Sequence, residues 1–248
     1  MIILDLFCGA GGAGVGYNRA GFDVVGVDIE PQPRYPFELI QEDAFEFIER
    51  GGWKGFDAIH ASPPCQRWSS LTRGFNRIED YPDVIAYVRH LLVQTGLPYV
   101  IENVPAAPLD NPVTLCGEMY GLDVIRHRIF ETNWNLQQPR HIPHRGPVAG
   151  WRHGKMYEGP YLAVYGHGGG KGTIEAWREA MDVYWMETRP EISQAIPPAY
   201  TQYIGSELLK VLLGGDVDAF DGPSRSAEKY CQSCGRRTRA SMAHSRPA

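Results

Sequence analysis

Ile2-Ile3-Leu4-Asp5-Leu6-Phe7-Cys8-Gly9-Ala10-Gly11-Gly12 decides the fold. Ile2 to Leu6 is a short apolar, β-branched run and reads as a buried first strand. The glycines behind it let the backbone approach a ligand closely. A helix from Gly12 to Ala20, ended by Gly21, turns its N–H groups toward the same point. Working outward, Val24 to Val27 is a second strand ending in Asp28, Ala44 to Arg50 a short helix, and Phe56 to Ala61 another buried strand. A short segment before Asp43 fits a third strand. From Asp83 onward, Val84, Ile85, Val88, Leu91 and Leu92 recur at helical spacing until Gly96 and Pro98. Tyr99 to Glu102 and His127 to Glu131 are further strands. A helical pattern returns at Ile174 to Met181. Tyr200, Ile204, Leu208 and Leu212 mark a last helix after Pro197-Pro198. This alternation predicts an α/β, Rossmann-like fold, a largely parallel sheet with helices on both faces.

The 248 residues suit one such domain with a smaller appendage. The expected division is 1–132 for the catalytic, cofactor-binding part, 133–173 for a small recognition insert, 174–215 for a segment returning to the catalytic part, and 216–248 for a flexible tail. The insert is rich in Pro, Gly, His, Arg and Trp and has no clear period. The five cysteines are an odd count without a paired framework and read as reduced thiols. With no basic leader and no long apolar run, a cytoplasmic protein is expected, in a bacterium or a phage-infected host. The net charge of −5 is unevenly spread. Residues 1–125 carry 8 Lys/Arg against 17 Asp/Glu, whereas residues 126–171 carry 7 against 2 and five of the eight histidines. A basic middle segment on an acidic body is what a phosphate-binding surface needs.

Three places carry chemistry. Pro63-Pro64-Cys65-Gln66 sets a thiol at a stiffened strand end, with Arg67 beside it in sequence to favour its ionised form. Glu102-Asn103-Val104 ends a neighbouring strand, where Glu102 is a candidate acid. Arg126-His127-Arg128 offers donors to a base carbonyl or to phosphate. A thiolate added to carbon 6 of a cytosine makes carbon 5 nucleophilic, and an acid at nitrogen 3 stabilises the adduct. In the glycine turn, Asp28 is placed for ribose hydroxyls and Asp43 for an adenine amino group, although Asp43 also suits a helix N-cap. Asp5 favours a cationic ligand over a pyrophosphate.

In this order, these motifs resemble the DNA (cytosine-5) methyltransferase family. Phe7 to Gly12 is similar to its cofactor motif, Pro63 to Gln66 to its nucleophile motif, and Glu102 to Val104 to its acid motif. Arg126 to Arg128 is similar to its Arg-x-Arg motif, and Ala195-Ile196-Pro197-Pro198 to the core of its last motif. The resemblance implies S-adenosylmethionine as methyl donor and a flipped-out cytosine in double-stranded DNA. It implies Cys65 as nucleophile, Glu102 as acid, Arg128 on the base and Arg126 in support. Phe7, Gly9, Gly11, Gly12, Asp28, Ile29 and Asp43 would surround the cofactor. Two positions depart from the family pattern: Val124 where a Gln is usual, and Ser193-Gln194 where Gly-Asn is usual. A monomer is expected. A restriction endonuclease of the same system is a compatible partner.

Competing readings are an RNA cytosine-5 methyltransferase, a nicotinamide-dependent oxidoreductase suggested by G-x-G-x-x-G over Gly9 to Gly14, and a catalytically silent DNA-binding protein on this fold. Cys231-x-x-Cys234 supplies half of a zinc ligand set, but with only His244 nearby no metal site is assigned. His141, His144, His153 and His167 read as polar loop residues, and Trp134 and Trp151 as a small insert core.

Overall fold

The computed structural model describes residues 1–68, 83–152, 155–166 and 172–214. The expectations for Cys231, Cys234, His244, His153, His167 and the tail fall outside these residues, as does the side chain of Trp151. The elements run β1 (Ile2–Leu6), α1 (Gly12–Ala20), β2 (Asp23–Asp28), β3 (Glu38–Gln41), α2 (Ala44–Glu49), β4 (Ala58–Ala61), α3 (Ile85–Thr95), β5 (Tyr99–Asn103), β6 (Val113–Leu115), β7 (Arg128–Thr132), β8 (Gly150–Arg152), β9 (Lys155–Tyr157), α4 (Ile174–Met181), α5 (Arg189–Gln194) and α6 (Pro198–Leu212). The main sheet has the order β3-β2-β1-β4-β5-β7-β6. β1 pairs in parallel with β2 and β4, β2 with β3, and β4 with β5, while β7 runs antiparallel between β5 and β6. The α/β, Rossmann-like reading therefore holds. The order reverses at β1, so the crevice beyond the carboxyl ends of β1 and β4 is where such sheets bind ligands. The glycine turn and Cys65 both follow those two strands.

One face of the sheet packs Ile3, Tyr17, Phe22, Val100 and Phe130 against Tyr200, Ile204 and Leu208 of α6. The other packs Leu4, Leu6, Ile59 and Ile101 against Phe47, Ile48, Val88 and Leu92 of α2 and α3. Each such fully buried aliphatic or aromatic side chain contributes roughly 1.5–3 kcal/mol. Trp134 belongs to the first of these clusters rather than to the insert.

Helix α1 has glycine at positions 12, 14 and 16, each costing about 1 kcal/mol of helix propensity. Close packing on the last segment explains Gly12 and Gly16, whereas Gly14 faces Asp5, Tyr35 and Phe37. A Cβ at Gly16 would lie 2.0 Å from Thr201 Oγ1 and 2.1 Å from the Pro198 carbonyl, and one at Gly12 would lie 2.4 Å from the Ile196 carbonyl. Thr201 also donates to the Ala13 carbonyl at 2.8 Å. The last motif thus folds back beside the first, and it does so through small residues.

The described residues of 133–166 carry little regular structure. β8 and β9 form a three-residue hairpin, and Tyr161 to Val164 return to the body, where Leu162 bridges to Val124. The basic character of segment 126–171 is partly spent inside the protein. Arg126 is buried, Arg128 pairs with Glu102, and Arg145 pairs with Glu118 and Asp123. Arg140 and Lys155 remain exposed. Among the described residues, no helix is long and apolar enough to cross a membrane.

Candidate active site

Ser62 to Cys65 leave the end of β4, and Asn103 at the end of β5 donates to the Pro63 carbonyl at 3.0 Å. That bond ties the nucleophile loop to the strand that carries Glu102. Glu102 is buried and takes the Arg128 Nε at 3.0 Å. Arg128 also donates to the His127 carbonyl, which fixes its direction. Arg126 is enclosed, and its two Nη atoms donate to the carbonyls of Val164 at 3.1 Å and Ser193 at 2.6 Å. It therefore clamps the end of the insert to the segment before the last helix. Ser193, one of the two departures from the family pattern, supplies a backbone carbonyl to that clamp. Val124, the other, is buried in an apolar cluster with Val164 and Trp177.

The charges here are coupled. Burial pushes the Cys65 thiol up, Glu102 pushes it further, and Arg128 and Arg126 pull it back. The expectation of a readily ionised thiol assisted by Arg67 is corrected: the opposing cations come from the Arg126–Arg128 segment, and burial outweighs them. Burial also raises Glu102, against Arg128 and a hydrogen bond from Ser62. Arg126 is pushed down to about 9 by burial and by Arg128, which leaves it charged at neutral pH. Burial thus favours the thiol form of Cys65 and pushes the Glu102 carboxyl up from its ordinary value. These signs make a test. Alkylation of Cys65 by iodoacetamide at mildly alkaline pH is expected to quicken in Glu102→Gln and to slow in Arg128→Leu. Equal rates in the two variants would show that the charges do not act on the thiol.

A buried chain of hydrogen bonds stands behind Glu102. The Tyr17 hydroxyl meets His60 Nδ1 at 3.0 Å, and His60 Nε2 meets Ser62 Oγ at 2.9 Å. Because Ser62 donates to Glu102, it accepts from His60 Nε2–H, which leaves Nδ1 to accept from Tyr17. Burial pushes His60 down to about 3, so the ring is neutral, as this arrangement requires. The sequence reading missed His60, because a lone histidine inside an apolar strand reads as packing.

At the glycine turn, Gly9 has φ +50°, and a Cβ there would meet nothing within 4 Å, so the backbone opens onto free space. Phe7, also at positive φ, packs edge-on against Phe45. Asp28 accepts from the Gly9 amide at 2.9 Å and the Glu30 amide at 3.0 Å, which fixes the carboxylate at the mouth of the turn. Ile29 beside it is 60% exposed, an apolar surface that a planar ring could cover. Asp43 caps α2 by accepting from the Phe45 and Glu46 amides. Gly12 faces the Ile196 carbonyl, and Gly11 faces Tyr35 and Pro36, so these two make room for protein rather than ligand. Asp5 does not lie open to a cation. It is fully buried, accepts from the Tyr35 hydroxyl at 3.1 Å, and is pushed up to about 8 mainly by burial. A ligand could reach it only if Tyr35 moved.

Sheet order and glycine turn define the class of fold, a Rossmann-like α/β fold that carries the Cys65–Glu102–Arg128 cluster at its strand ends. Comparison with known proteins narrows this. Residues 1–108 match the family described as C-5 cytosine-specific DNA methylase, so the resemblance read from the motifs holds over that stretch. The type II methyltransferase M.FnuDI of Fusobacterium nucleatum is 34% identical over 85 residues, 31% of this chain and 24% of that protein. The match therefore spans about a quarter of that curated relative. Among solved structures, S. pombe Dnmt2 methyltransferase is similar at TM-score 0.60 and 11% identity, covering 86% of this chain and 99% of that one. A DNA modification methyltransferase encoded within an E. coli prophage is similar at TM-score 0.56 and 17% identity, with coverage of 86% and 99%. These two likenesses concern the fold.

Proposed function

We propose that this protein transfers a methyl group from S-adenosylmethionine to carbon 5 of cytosine in DNA, through a covalent adduct on Cys65. One observation carries the reading. A strand-end thiol, a buried carboxyl with a raised pKa and an arginine paired to that carboxyl share one electrostatic environment beside an open glycine turn. A nicotinamide oxidoreductase would leave this cluster without a role.

Cys65 gives up its thiol proton to solvent as Sγ bonds to carbon 6 of the flipped base, and the displaced electron pair moves through the ring toward nitrogen 3. Glu102 gives or shares its proton there, a role that burial favours by pushing its carboxyl up. Arg128, already paired to Glu102, is placed to meet the base carbonyl, and Arg126 holds that segment in place. When bound, S-adenosylmethionine supplies an electrophilic methyl group on a sulfonium. Phe7, Gly9, Asp28, Ile29 and Asp43 are the residues proposed to hold it, with Gly11 and Gly12 shaping the turn. Loss of the carbon 5 proton and release of Cys65 then return the thiol and yield 5-methylcytosine.

The proposed substrate is double-stranded DNA and the proposed state a monomer, with the insert at 133–173 reading the target. A role beside a restriction endonuclease fits the type II naming of the curated relative. Transfer of labelled methyl from S-adenosylmethionine to duplex DNA, with structured RNA in parallel, tests the assignment. Label in DNA, mapped to cytosines by bisulfite sequencing, supports it. Label in RNA alone would move the substrate, and label in neither would refute the activity.

A further inference from the structure

Beside this site lies a cluster that methyl transfer does not use. Cys116 follows β6, His127 sits between Arg126 and Arg128, and His141 and His144 lie in the segment leaving β7. One donor atom from each of the four lies within 4.8 Å of all the others. Cys116 Sγ is 3.5 Å from His144 Nε2, and His127 Nε2 is 3.1 Å from His141 Nε2. The three imidazoles form a close triangle, with ring centres 5.1–5.2 Å apart.

We infer that Cys116, His127, His141 and His144 form a structural zinc site that fastens the recognition insert to the catalytic sheet. The donor set is right for the metal. One thiolate and three imidazoles favour Zn²⁺ over the oxygen-seeking Mg²⁺ or Ca²⁺. The spacing is right as well. In a tetrahedron with Zn–N and Zn–S bonds of about 2.0–2.3 Å, neighbouring donors stand roughly 3.3–3.7 Å apart. The separations of 3.1 and 3.5 Å bracket the lower end of that range. Ordinary packing does not bring three imidazole nitrogens and a thiol edge to edge, because a shared proton satisfies only one pair of them. Four protein ligands leave no open position, so the site closes a structure rather than activating water.

The placement gives the metal its task. Cys116 and His127 belong to the β6–β7 unit at the sheet edge, and His141 and His144 to the irregular first part of the insert. That segment has few elements of its own to hold it. Its other ties to the body nearby include Arg145 to Glu118 and Asp123, the Gln138 bonds to Thr114, and the Tyr203 hydroxyl bond to the Gln137 carbonyl. Fixing His127 also fixes the backbone between the two arginines, and with it the direction in which Arg128 leaves toward Glu102. His141-x-x-His144 is a ligand spacing in the sequence, but its partners lie 25 and 14 residues upstream of His141, which hides the set.

The test uses the full purified chain. Metal analysis is expected to find one Zn²⁺ per chain, and replacement by Co²⁺ to give tetrahedral visible bands with a thiolate-to-cobalt charge-transfer band. Cys116→Ser should remove the charge-transfer band. His141→Gln, an exposed position, should weaken Co²⁺ binding at least about tenfold. A Cys231→Ser/Cys234→Ser double variant should keep both the band and the affinity, which separates this site from the tail cysteines. The proposal is overturned if the double variant binds no Co²⁺ through a thiolate, or if Cys116→Ser or His141→Gln binds as wild type does. Should Cys116→Ser fail to fold, the double variant and His141→Gln still decide the question.

Discussion

Cys65→Ala is expected to abolish methyl transfer, by roughly 10⁴-fold or more, while the fold survives. Without a nucleophile at carbon 6, carbon 5 of cytosine keeps its low intrinsic reactivity, and no other group in the cluster can replace the covalent step. In the proposed mechanism Glu102 and Arg128 stabilise charge only after the adduct has begun to form. The structural cost is small. Cys65 is only half-buried, in a loop, so losing its sulfur should cost no more than about 1 kcal/mol. Thermal unfolding and S-adenosylmethionine binding should therefore stay close to wild type. A variant that lost both activity and cofactor binding would instead mark Cys65 as a packing residue.

Glu131→Ala is expected to destabilise the protein by about 3–5 kcal/mol. Arg89 on α3 and Glu131 on β7 form a bidentate pair at 2.7 and 2.6 Å, with both side chains almost wholly buried. Glu131 also accepts from the Asp110 amide at 2.8 Å. Removing the carboxylate strands a guanidinium beneath the sheet edge, with only the Pro108 carbonyl at 2.9 Å and the more distant Asp110 to satisfy it. The paired change Arg89→Met with Glu131→Leu should cost much less, because neither charge is then left alone. Urea unfolding of the single and double variants checks both statements. Equal losses would mean that packing volume, not the pair, sets the stability.

The elements with strong local signals were legible in the sequence. β1, α1 and α4 fall at the residues expected, because apolar runs there are bounded by glycine or by a threonine cap. β6 was missed: three residues after Pro112 carry no period. α5 was missed although Thr188 and Glu191 form a capping box, because six residues are too few to show an apolar face. Cys65, Glu102, Arg126 and Arg128 were legible as motifs, and the structure brings them to neighbouring strand ends. Their protonation was not legible, since burial of Cys65 and Glu102 comes from distant chain segments. The basic segment 126–171 illustrates the same limit. Charge counting could not know that Arg126, Arg128 and Arg145 each find an internal partner. The Cys116–histidine cluster assembles across three segments and left only the His141–His144 spacing as a trace.

The most direct test of the central claim is intact-mass analysis of the protein incubated with S-adenosylmethionine and duplex DNA containing 5-fluorocytosine. Fluorine at carbon 5 cannot leave as a cation, so the adduct is trapped after methyl addition. A covalent complex of protein plus methylated DNA, mapped by peptide analysis to Cys65, is the expected result. Methylation of ordinary DNA by the same preparation, with no covalent complex on the fluorinated duplex or with the adduct on another residue, would contradict it.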